Sequence, residues 1–242
     1  MAVAPDGKSL IASIGARQSS VWLRDTAGDH RLPVEGSATQ PKFSADGRLY
    51  YLLKKANSAD AIELWAQDLT SGKADPVLTG QQIADYDISS DQKNVAFTVR
   101  NGGTSTIFLA PVDRGSAPHV VTKDGDSVAF ASPADLVFRQ LGEKASYLAR
   151  IHADGTGLKR IMEAPIVGME GASGDGAWVA AAGFIDPSKP VGTYAVSLRD
   201  RSLRPLCKGR VPRKSLPCSP PLAHDFVRTP QVSGNAHAAE VA

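Results

Sequence analysis

A turn of the form Ser/Ala-x-Asp-Gly returns along this chain at a nearly fixed interval, and that period limits the fold more than any other feature. It stands as Ala4-Pro5-Asp6-Gly7 and Ser44-Ala45-Asp46-Gly47. It recurs in altered form as Ser89-Ser90-Asp91-Gln92 and Ser132-Pro133-Ala134-Asp135, and in full as Ser173-Gly174-Asp175-Gly176. The aspartates 6, 46, 91, 135 and 175 follow one another at 40 to 45 residues. A second marker keeps step with the first, an aromatic inside an apolar segment: Trp22, Trp65, Phe108, Tyr147 and Tyr194. Two markers in phase over five turns define a structural repeat.

Each repeat reads as four short strands. The first apolar run after the turn covers Leu10–Ile14, Leu49–Leu53, Val95–Val99, Leu136–Arg139 and Trp178–Ala182. These runs are short, rich in β-forming residues and bounded by turn residues. The aromatic strand is next, then a polar turn such as Thr70-Ser71-Gly72-Lys73, where glycine supplies positive φ. Third strands are expected at Arg31–Val34, Pro76–Thr79, His119–Thr122 and Lys159–Met162. Fourth strands, leading to the next turn, are expected at Gln40–Phe43, Asp85–Ile88, Val128–Ala131 and Val167–Glu170. No window shows sustained apolar spacing at three and four, so helix is not expected.

A four-stranded sheet of some forty residues cannot bury both faces alone. Blades stacked around an axis bury them against each other, so the expected fold is an all-β propeller of about five four-stranded blades. Repeats fall near 1–43, 44–88, 89–131, 132–172 and 173–206, with a basic, Ala-rich tail over 207–242. Trp22, Trp65 and Phe108 are expected between blades.

The best-formed repeat joins Phe43-Ser44-Ala45-Asp46-Gly47-Arg48-Leu49 to Leu64-Trp65-Ala66-Gln67-Asp68-Leu69-Thr70-Ser71-Gly72. That pattern resembles the WD40-like (PD40) repeat of TolB-type propellers, over residues 2 to about 206. It lacks the Gly-His and Trp-Asp dipeptides of true WD40 repeats. The resemblance implies a ring of six or seven blades, of which four full repeats and most of a fifth are present. It therefore implies a piece of a larger propeller with an apolar blade face at each end, prone to associate. The family uses this repeat as the periplasmic TolB propeller, as the gating propeller of prolyl-oligopeptidase-like peptidases, and as sensor or scaffold domains of larger bacterial proteins. An extracytoplasmic location follows only from that resemblance.

The tail departs from the pattern. From Arg199 onward eight basic residues face three acidic ones, while the whole chain carries a net charge of +2. Where the next turn would fall stands Cys218-Ser219-Pro220-Pro221. A disrupted last blade, including one caused by a reading-frame slip after about Lys208, and a natural disordered tail both fit. Cys207 and Cys218 could pair in an oxidising compartment or stay as free thiols.

Motifs of catalytic chemistry are sparse in this sequence. Gly171-Ala172-Ser173-Gly174 has the wrong spacing for a nucleophile elbow. Asp124-Gly125-Asp126-Ser127 lacks the length and closing glutamate of a calcium loop. His30 and His119 share a repeat position, at the start of the third strand, which explains them without a metal. Asp46 and Asp175 are expected as turn formers. No catalytic, cofactor-binding or metal residues are assigned and no cofactor is expected.

The small net charge argues against a nucleic-acid partner. The sequence has no apolar run long enough to insert in a membrane, and no leader is visible in MAVAPDGKSL. The expected function is non-catalytic binding of a protein or peptide, or of another domain of the parent polypeptide. The alternative is the propeller portion of a prolyl-oligopeptidase-like peptidase, and a carbohydrate-cleaving propeller is a distant third. Candidate contact loops are Gly15–Ser20, Lys55–Ile62, Arg100–Thr104 and Asp186–Val191.

Overall fold

The computed structural model describes residues 2–3, 10–11, 19–25, 28–44, 46–56, 61–184 and 191–206. Among them the regular elements are all strands. Two short pairs come first: β1 (Ala2–Val3) with β2 (Leu10–Ile11), and β3 (Trp22–Asp25) with β4 (Gly28–Arg31). Four complete sheets follow. The first sheet holds β5 (Ser37–Phe43), β6 (Arg48–Lys54), β7 (Glu63–Asp68) and β8 (Ala74–Leu78). The second holds β9 (Ile83–Ile88), β10 (Asn94–Asn101), β11 (Thr104–Pro111) and β12 (His119–Lys123). The third holds β13 (Gly125–Ser132), β14 (Asp135–Gln140), β15 (Tyr147–His152) and β16 (Lys159–Arg160). The fourth holds β17 (Ile166–Ala172), β18 (Trp178–Gly183), β19 (Gly192–Ser197) and β20 (Leu203–Pro205). Strand order equals chain order in every sheet and all pairings within them are antiparallel. The architecture is all-β, with about five blades.

The sheet and the sequence repeat differ in phase by one strand. The strand that leads into each Asp-Gly turn pairs with the strand that leaves it, as β5 with β6. The sheets thus run 37–78, 83–123, 125–160 and 166–205. The turn explains this pairing. In Ser44-Ala45-Asp46-Gly47 the serine hydroxyl donates to the Asp46 carboxylate, which accepts the Arg48 N–H at 3.1 Å. Ser89 Oγ donates to Asp91 at 2.6 Å, and Ser173 Oγ to Asp175 at 2.5 Å. Asp46 and Asp175 are turn formers, as the sequence implies. In the third sheet the motif is stretched by one residue. Ser132 Oγ reaches Asp135 at 2.8 Å inside the ladder instead.

Burial follows the pleat. Val95 and Phe97 point toward Tyr50, Leu52 and Leu64 of the first sheet, and Ile83 and Tyr86 of their own sheet join the same cluster. Ala96 points the other way, onto Val128, Phe130, Leu136 and Phe138 of the third. A further cluster joins the third and fourth sheets, and another joins β3–β4 to the first. Each interface is apolar and alternates along the strand, as stacked blades require.

The marker aromatics divide. Trp65 packs into the cluster beside β3–β4, and Phe108 stacks on Phe97 at 5.4 Å between the first two sheets. Trp22 does not lie between blades: it is 58% exposed. Its neighbours Val21 and Leu23 take the inward side, so alternation sends Trp22 to the opposite face. Among the described residues no sheet covers that face. β4 also lies three residues earlier than expected, because Asp25 pairs with Gly28.

The turn glycines give a graded test. Gly47 (φ +82°) and Gly176 (φ +68°) occupy the same repeat position, and Gln92 shows that a side chain can adopt this conformation (φ +61°). A Cβ on Gly47 would meet nothing, whereas one on Gly176 would lie 1.7 Å from the Ala131 carbonyl oxygen. We predict that Gly47→Ala costs about 1 kcal/mol in urea unfolding and Gly176→Ala more than about 3 kcal/mol. Equal costs would show that turn conformation, and not the contact with the neighbouring blade, sets the requirement.

Candidate functional site

The first strands of successive sheets converge: β13 lies against β9 and β17, and β5 is bonded to β9 through Lys42 and Gln40, which makes these the inner strands. Their polar side chains meet across the blade boundaries. Lys42 on β5 donates to the Tyr86 carbonyl at 2.6 Å and to Asp87 on β9 at 3.0 Å. The other oxygen of Asp87 accepts the Phe130 N–H on β13 at 2.8 Å. Asp87 thereby bonds to the sheets on both sides of its own. Tyr86 Oη donates to the Gln40 carbonyl at 2.7 Å, and Gln40 Nε2 donates to the Ala84 carbonyl at 3.0 Å. Gln40 takes a left-handed φ of +51°, where the β5 register shifts. Such a bulge turns inner-strand groups toward the neighbouring blade.

Asp85 lies on the same side of β9 as Asp87. Burial pushes its carboxyl up to about 6, against the opposing pull of Lys42. Burial alone would lower the Lys42 ammonium, but Asp87 and Asp85 outweigh it and hold it above its ordinary value.

A second polar group lies further along the same boundary. Asp126 on β13 pairs in register with Arg139 on β14. The guanidinium grips the carboxylate with two bonds, Nε to Oδ1 at 2.7 Å and Nη2 to Oδ2 at 2.6 Å. Its Nη1 donates to the Val167 carbonyl on β17 at 2.6 Å. Arg100 on β10 adds one bond to Asp126 Oδ2 at 3.1 Å. The Asp126 side chain is only 3% exposed and that of Arg100 is 63% exposed. The bond to Asp126 raises the Arg139 guanidinium further above its ordinary value.

Arg100, Asp126 and Arg139 line an open cavity of about 390 Å³ together with the turn 101–104, Ser105 and Leu141. Gly102 (φ +55°) and Gly103 (φ +91°) make the turn between β10 and β11. Ser105 is 4% exposed, and its buried hydroxyl has no hydrogen-bond partner.

Of the four candidate contact loops, Arg100–Thr104 forms this cavity. Lys55–Ile62 connects the same pair of strands one sheet earlier. Residues 57–60 of that loop lie outside the described residues, as do most of Gly15–Ser20 and Asp186–Val191. The tail over 207–242, with Cys207 and Cys218, lies outside them too, and so does the Asp6 turn. Asp124-Gly125-Asp126-Ser127 holds no cation group among the described residues. Asp126 is occupied by two arginines. His119 opens β12 and, like His30 on β4, is exposed.

One pair has the look of catalytic chemistry. His152 Nδ1 lies 2.8 Å from Asp135 Oδ1. Arg150 and Ser132 also bond to that carboxylate, and Arg150 is the main cause holding it below the usual range. Ser132 therefore donates to the acid, and among the described residues no hydroxyl is bonded to the imidazole. A nucleophile–base–acid relay needs the hydroxyl on the other ring nitrogen.

No protein-family model and no curated protein matches the sequence. Solved structures do match. TolB from Acinetobacter baumannii superposes with a TM-score of 0.64 at 16% identity, over 77% of this chain and 48% of that one. A putative TolB from Agrobacterium tumefaciens gives 0.63 at 19%, over 81% and 72%. A puromycin-hydrolysing peptidase of Mycobacterium tuberculosis gives 0.58 at 16%, over 78% and 32%. The chain is a β-propeller. At these identities the likeness shows the fold alone. The chain spans about half the length of the first of these structures.

The Asp85 environment makes a pH prediction. Its folded value of about 6 stands above the unfolded 3.8. The folded state holds this proton longer, so the site weakens the fold as pH rises from about 4 to about 6. Asp85→Asn is expected to stabilise the protein at pH 8 by up to about 3 kcal/mol, with the gain gone by pH 4. A gain independent of pH would place its origin elsewhere.

Proposed function

We propose that this propeller is a non-catalytic module that binds a protein or peptide segment at the ring end carrying the β10–β11 turn. The observation that carries this reading is the cavity built on Arg100–Ser105. Its volume suits one or two side chains of a partner. Its acid, Asp126, is held by Arg139 through both oxygens and so is not free to act as a general base. Turns between strands are where a propeller can vary without disturbing blade packing, which makes them the natural place for recognition. The partner is a separate protein, or another domain of a longer polypeptide.

A second reading has a specific observation behind it. The chain is similar to part of a puromycin-hydrolysing peptidase, covering 32% of it. In that reading the propeller would serve a catalytic domain in the same polypeptide, and the same ring end would face its substrate.

Random dodecapeptides displayed on phage and selected on the immobilised chain test the binding reading. An enriched sequence, resynthesised, should bind with a Kd in the micromolar range. Binding should weaken at least tenfold in Asn101→Trp, a bulky change at an exposed residue of the cavity lining, while the melting temperature holds. Failure to enrich any sequence, or binding indifferent to Asn101→Trp, would contradict the proposal. Hydrolysis of the selected peptides by the purified chain would contradict its non-catalytic part.

A further inference from the structure

The polar groups around Asp126 do not balance. Arg139 alone satisfies both carboxylate oxygens with a bidentate grip, and its third donor goes to the Val167 carbonyl. Arg100 therefore brings a second positive charge to an acid that is already paired. The cavity lining holds two guanidinium groups against one carboxylate, a net charge of +1. Asp124, two residues from Asp126, is not part of that lining.

Among the described residues Arg100 bonds to Asp126 through Nη2 alone, and its side chain is mostly exposed, so Nε–H and Nη1 remain to offer. Across the β10–β11 ladder its register partner is Ser105. Cross-strand partners put their side chains on the same face, and both Arg100 and Ser105 are lining residues of the cavity. A buried hydroxyl without a partner carries a desolvation cost, and it lowers that cost only when an acceptor arrives. A surplus cation beside an orphan O–H donor, at a glycine turn, suits a planar anion that takes two or three hydrogen bonds.

We propose that this cavity is a carboxylate-binding site, which seats a carboxylate of a peptide ligand between the Arg100 guanidinium and Ser105 Oγ. The proposal rests on the peptide-binding reading above and gives it a chemical preference. The carboxylate comes from an Asp or Glu side chain or from a peptide C-terminus. Arg139 is the positioning residue. By holding Asp126 it keeps that acid from neutralising Arg100 fully.

The test uses the full chain labelled with nitrogen-15 and three probes. One is an end-blocked peptide, acetyl-Gly-Asp-Val-Gly-amide. The second is Gly-Gly-Ala-Val with a free C-terminus. The third is inorganic phosphate. The site predicts saturable shifts of the Arg100 Nε–H and of the Gly103 and Ser105 amides with one or both peptides. The peptide that binds identifies the source of the carboxylate. Arg100→Gln should weaken that binding at least tenfold, and Arg100→Lys should restore part of it.

Ser105→Ala separates binding from folding. It removes an unsatisfied buried group, so the free protein should be as stable as before or more so, while carboxylate affinity falls about three- to tenfold. No saturable shift with either peptide would overturn the proposal, as would affinity unchanged in Arg100→Gln. Phosphate binding in preference to both peptides would overturn the carboxylate assignment. If phage selection yields a ligand that ignores Arg100, this proposal fails and the peptide-binding reading stands. If selection yields no ligand, the reading itself fails.

Discussion

Three sheets meet at one carboxylate. Asp87 accepts from Lys42 of the preceding blade and from the Phe130 N–H of the following one. The apolar interfaces between blades supply most of the attraction, but burial of apolar area has no direction and tolerates sliding. Hydrogen bonds to an ionised group are short, directional and stronger than neutral ones. Placed on the inner strands, where the blades converge, they fix how far each sheet is rotated against the next. The link carries a risk as well. Lys42 and Asp87 are mostly withdrawn from water, so losing one partner leaves the other charge poorly compensated.

The same device recurs further along the boundary between the second and third sheets, with different residues. Asp126 joins the second and third sheets through Arg100, and Arg139 carries the link on to the Val167 carbonyl of the fourth. Here the charges do not cancel, and the excess belongs to the lining of a cavity. The candidate site is therefore a by-product of how blades are pinned. A structural ion pair holds one arginine rigid, and a second arginine at the edge of the pair is left with donors to offer. Rigid support beneath an adaptable contact is what a binding site on a turn requires.

Much of this fold is legible in the sequence, because its period is carried by residues with local duties. Ser44, Asp46 and Gly47 close a turn among themselves, so the motif survives wherever the turn does. Asp91 and Gln92 show the motif tolerating a change that keeps the serine–aspartate bond and the left-handed residue. Strand extents were legible to within a few residues for the same reason. Trp22 was misplaced because the period gives its strand but not whether a neighbour covers it. The cavity was hidden by phase. With each repeat closed at residues 131 and 172, the strand containing Asp126 and the strand containing Arg139 fall in different units. Counting outward from the turn at 133–134 as a hairpin would have set those opposite charges roughly opposite each other. The orphan hydroxyl of Ser105 had no sequence signal at all, since an unsatisfied group is defined by what surrounds it.

The claim that Asp87 pins three blades is open to a double-mutant cycle with Lys42, followed by urea unfolding at pH 7. Asp87→Ala should lose about 2–4 kcal/mol, and Lys42→Met in the same chain should recover at least about 1 kcal/mol by removing the uncompensated charge. A loss within about 0.5 kcal/mol of zero for Asp87→Ala, with no coupling to Lys42, would show that apolar packing alone sets the blades.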